Sequence, residues 1–78
     1  MEKAQEELYE KFMDSWLVRE RREILMKMHR EGYLTDKILT DFAVVTDLTI
    51  QQGDLEDRYY DMLRCLDSMA RFETTGLR

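Results

Sequence analysis

Two pairs of acidic side chains three residues apart are candidates for chemistry. Glu20 and Glu23 flank Arg21 and Arg22, and Asp54 and Asp57 flank Leu55 and Glu56. On a helix such residues share a side. Two pairs facing each other could supply the oxygen ligands that Mg2+ takes at near-octahedral geometry. That chemistry would suit a small metal-dependent nucleotide hydrolase. The signal is weak. Seventeen acids in 78 residues produce this spacing by chance. Arg21 and Arg22 sit inside the first pair, and Asp54 is better used as a helix cap.

The remaining reactive groups are single. His29 is the only histidine, and a catalytic base needs a nucleophile and an orienting group beside it. It falls off the apolar face, near a helix C-terminus, where an exposed imidazole is favoured. Cys65 lies beside a hydrophobic seam, which predicts a half-buried, inert thiol. Neither points to catalysis. The sequence gives no reason to expect an enzyme, a cofactor or a resident metal.

One basic cluster stands out: Arg19, Arg21, Arg22, Lys27 and Arg30, with His29. It could meet phosphates, which makes a nucleic-acid-binding transcriptional regulator the main alternative reading. Glu20, Glu23 and Glu31 dilute it. A helix-turn-helix could be drawn between Leu39 and Leu63, but its recognition helix would begin Asp54-Leu55-Glu56-Asp57. Those acids would face phosphate. The net charge of −5 also argues against a general nucleic-acid binder.

These groups must be positioned by helices. Proline is absent and only three glycines occur, where normal usage would give about four prolines. With 44% hydrophobic and 37% charged residues, the balance is that of a folded all-α chain. Residues 2–30 contain no Gly or Pro and read as one long N-terminal helix of about 43 Å. Tyr9, Phe12, Met13, Trp16 and Leu17 fall on one face, and Ile24 and Met28 continue it. Glu20 and Lys27 interrupt that stripe. Val18 and Leu25 sit seven residues apart on the opposite side. Gly32 is placed to cap the end.

A second helix is expected from Asp36 to about Gln51, capped by Thr35, with Leu34 and Leu39 as a hydrophobic staple. The alternation from Phe42 to Ile50 would also suit a strand, but a lone strand cannot satisfy its own backbone. Gly53 and Asp54 mark the next boundary. The third helix runs from Leu55 to about Phe72, with Leu55, Tyr59, Met62, Leu66 and Met69 as a seam. This gives a single helical domain over 1–73 and a flexible C-terminal tail over 74–78.

The resulting expectation is a three-helix arrangement: one long helix and a shorter helical pair. The pair is too short to cover the long helix and its back stripe, which predicts a homodimeric bundle. The polar N-terminal stretch and the lone cysteine point to a reducing, cytoplasmic setting. No apolar run reaches the roughly 20 residues a membrane span needs. Met, Trp and Tyr in excess suit a helical binding face. The functional expectation is therefore a small protein–protein interaction module, a regulator, inhibitor or adaptor. Its contact residues would be Trp16, Val18, Glu20, Arg21, Arg22 and Leu25 on the first helix. On the acidic third helix they would be Asp57, Tyr60 and Asp61, where the acids could act as a decoy for a partner that binds nucleic acid.

Overall fold

The computed structural model describes residues 2–76, with side chains through residue 73. Among them are four α-helices and no strand: α1 (Lys3–Asp14), α2 (Val18–Arg30), α3 (Asp36–Val45) and α4 (Leu55–Gly76). The long first helix of the three-helix expectation is thus two helices. The chain leaves α1 at Ser15 (φ −75, ψ 142) and enters α2 from Leu17 (φ −91, ψ 127), both extended. No glycine or proline imposes this break. What favours it is burial. A straight helix puts Phe12 and Leu25 about 140° apart around its axis, so one core could not take both. Bending at residues 15–17 brings both into the same core, where each is 0% exposed.

The other boundaries follow local chemistry more closely. Gly32 (φ 76) ends α2, with Tyr33 N–H donating to Met28 O and Gly32 N–H to His29 O. This pairing satisfies the last free carbonyls of the helix. Thr35 Oγ1 accepts from Ile38 N at 3.2 Å to start α3. Asp54 Oδ1 accepts from Asp57 N at 2.9 Å to start α4.

The second helix was expected to reach about Gln51, but α3 stops at Val45. Thr46 Oγ1 donates back to Phe42 O at 2.7 Å, and Asp47 takes φ 58. Leu48 N–H then donates to Ala43 O at 2.8 Å and Asp47 N–H to Val44 O at 3.1 Å. This is the same closure as at Gly32, made with an aspartate in the glycine position. Asp is among the few side chains that tolerate it. Stopping there lets Leu48 and Ile50 pack onto the core from an irregular segment, so the strand alternative also falls away. The helix α4 takes in 74–76 of the span expected to be a tail, and 77–78 lie outside the described residues.

The core is one cluster built from all four helices: Phe12, Leu25, Met28, Leu39, Phe42, Met62 and Leu66 are fully buried within it. The pairing of α2 with α4 is the most extensive, while α1 lies against α2 and α3. Phe12 stacks flat on Phe42, ring centroids 3.6 Å apart and planes 7° from parallel. Several polar ties cross between helices. Arg58, placed four residues from Asp54, instead donates to Asp36 Oδ1 and Thr40 Oγ1 on α3. Asp67 accepts from Arg22 on α2.

Three tyrosines respond to this packing. Tyr9 is held above the ordinary phenol range chiefly by donating to Asp41. Burial raises Tyr33 and Tyr59, aided at Tyr33 by Glu2 and at Tyr59 by Tyr60 and Glu56. A phenol held protonated in the fold means that the folded chain binds more protons than the unfolded one once the pH passes about 10. This contribution is complete below about pH 10 and is lost as pH rises through the raised values. Thermal melts should show the midpoint dropping as pH rises above about 10, with a shallower drop in Tyr9→Phe. Equal slopes in the two proteins would remove Tyr9 from this account.

Candidate binding surface

At the elbow between α1 and α2, Trp16 projects 82% exposed. The elbow is pinned from α4. Glu73 accepts from Val18 N at 2.8 Å and Arg19 N at 3.4 Å. It thereby provides the first turn of α2 with a carboxylate cap from a distant part of the chain, because Leu17 at the capping position has no side-chain acceptor. Ser15 Oγ donates to Glu20 Oε2 at 2.8 Å and closes the other side. Phe72, one residue before Glu73, is 77% exposed. Trp16 thus stands in solvent at the elbow, and Phe72 stands in solvent beside the residue that caps α2.

Beside the elbow runs an open groove of about 710 Å³ between the end of α1 and the start of α2, lined by Ile24, Lys11, Asp14, Arg19, Glu20 and Glu23 among others. Its charges are mixed in sign, so it has no strong electrostatic preference. Glu20 and Glu23 reach this groove, whereas Asp54 and Asp57 begin α4 as a cap and its first turn. Among the described residues, no group of three or more His, Cys, Asp or Glu gathers where a metal ion could sit. No protein-family model matches the chain, and comparison with curated proteins and with solved structures finds no match.

The residues expected to make contacts divide sharply. Trp16 and Glu20 are exposed at the corner. Val18 is half-buried and packs on the core. Leu25 is a correction: it is 0% exposed and central to the core, because the elbow turns the back stripe of a straight helix inward. Arg21 lies over the Phe12 ring at 5.5 Å and donates to Phe12 O. Arg22 bridges Glu23 and Asp67, and the hydrogen bond to Asp67 holds its guanidinium still more firmly charged. On α4, Asp61 accepts from Gln51 N at 2.9 Å, Asp57 is exposed, and Tyr60 is 55% exposed.

His29 was expected to stand in solvent and does not. Its ring stacks on Tyr59 at 3.7 Å and 6°, and its Nε2 donates to Glu56 Oε1 at 2.7 Å. Tyr60 meets Tyr59 edge-on at 5.0 Å. This cluster locks α2 to α4. Cys65 is half-buried as expected. The residues that sequence reasoning missed are Phe72 and Glu73, which it placed at the end of the third helix without a role. Nothing local marks Glu73, whose partners Val18 N and Arg19 N come from the elbow.

Proposed function

We propose that this chain is a small protein–protein interaction module, acting as a regulator, inhibitor or adaptor that binds a partner protein through the Trp16–Phe72 corner. One observation carries the reading: two large aromatic rings stand in solvent, Trp16 at the elbow and Phe72 beside the Glu73 that caps α2. Exposed Trp and Phe rings can serve as anchors in a protein interface. The mixed charges of the adjoining groove suit a protein surface better than a phosphate backbone. Arg21, Arg22 and His29 are already engaged by groups of the chain itself, so no observation favours the nucleic-acid alternative. The reading is non-enzymatic and places the chain in the cytoplasm, in keeping with a lone cysteine. Self-association into a homodimer belongs to it as well.

The test pairs the parent with Trp16→Ala/Phe72→Ala in affinity capture. A protein retained by the parent should then be purified and titrated against both. Anchor residues of this kind are worth at least about 2 kcal/mol each, so the double variant should bind roughly a thousandfold more weakly. Equal affinity for both would sink the corner as the binding site.

A further inference from the structure

The bend between α1 and α2 is made from residues that also suit a helix, and both halves of the bent pair bury their apolar stripes in the same core. We propose that the chain exchanges α1 with a second copy of itself. The elbow at residues 15–17 straightens, and α1 of each copy seats on α2 and α3 of the other. The proposal rests on the self-association half of the reading above and not on the partner-protein half.

Four observations support it. First, Ser15, Trp16 and Leu17 include no glycine or proline, so nothing in the hinge forbids a continuous helix over residues 3–30. Second, α2 has no local cap. Its opening N–H groups depend on Glu73. In a straight helix the N–H groups of Trp16 through Glu20 would instead donate four residues back along their own chain. Third, every attachment of α1 can be remade by an identical copy: Phe12 on Phe42, Tyr9 Oη on Asp41, Gln5 Nε2 on Tyr33 O. Fourth, the two stripes that puzzle a single-helix reading gain separate uses. In a straight helix Phe12 and Leu25 face about 140° apart, so Leu25 stays in its own core while Phe12 enters the neighbour's.

The hinge also gains something on exchange. Trp16, 82% exposed in the bent chain, would lie where the two straightened helices pass near the twofold axis, and would be covered there. Short hinges are a recognised route to such exchange. A second copy is the occupant these features specify, because only the same sequence reproduces the contacts that α1 gives up.

The experiment measures an intrachain distance. Spin labels are placed at Glu7→Cys and Lys27→Cys in a Cys65→Ala background, with a large excess of unlabelled chain. Glu7 and Lys27 are exposed and line one shallow pocket in the bent chain. In a straight helix they stand about 30 Å apart. The dimer fraction should show the long distance and the monomer the short one. Trp16→Pro extends the test, since Ser15 already has the extended backbone a following proline requires. A proline inside a helix disfavours each straightened chain about a hundredfold, so dimerisation should weaken about ten-thousandfold. Glu73→Ala should strengthen it roughly thirtyfold by releasing the cap in two chains.

A dimer with only the short distance would overturn the exchange and leave self-association standing. A chain monomeric up to its solubility limit would overturn both. Trp16→Pro dimerising as tightly as the parent would also overturn the exchange.

Discussion

Leu25→Glu should unfold the protein rather than divide a dimer. Leu25 is fully buried beside Met28, Phe42 and Leu66 in the only core cluster among the described residues. Deleting a buried leucine costs about 2–5 kcal/mol, and an unpaired buried carboxylate adds several more. A domain of this length holds about 4–12 kcal/mol in all. The two losses together take up most or all of that. Separated helices of ten to 22 residues are marginal in water. The expected result is a far-UV circular dichroism signal with little helix at 25 °C and no cooperative melt. A cooperative melt within a few degrees of the parent, with halved solution mass, would instead return Leu25 to an intermolecular seam.

Phe12→Ala is the second large effect. Its ring lies flat on Phe42, with Arg21 above it, and it is the one fully buried side chain that α1 contributes. Truncating a buried phenylalanine costs about 3–5 kcal/mol. For a domain of 60–100 residues each kcal/mol lowers the melting temperature by about 4–8 °C, so the drop should exceed about 12 °C. Trp16→Ala and Phe72→Ala, with rings in solvent, should each stay within about 0.5 kcal/mol of the parent. This contrast among three aromatics tests the placement of the elbow. Equal losses at Phe12 and Trp16 would show that α1 does not turn where the structure turns it.

The pattern of these effects shows how much was legible beforehand. Helical content followed from composition, and three boundaries from single residues: Gly32, Thr35 and Asp54 each act within one turn of themselves. The core face of α4 was equally plain, since Tyr59, Met62 and Leu66 recur at helical spacing and all three are buried. The candidate surface was only partly legible. Trp16 was singled out, but as one point on a long helix rather than as the tip of a corner.

What the amino-acid order determined by itself is local: helix formation, three of the caps, the charge balance and the periodic faces. These depend on residues within four positions of one another, where backbone hydrogen bonds and side-chain spacing act directly. Only the tertiary structure decided the elbow, the burial of Leu25 and the exposure of Phe72. It also chose Asp36 over Asp54 for Arg58, and brought Glu73 onto Val18. Residues 15–17 carry no signal to turn. They turn because the apolar stripes of α1 and α2 point different ways in a straight helix, and burying both in one core outweighs the backbone bonds given up at the bend.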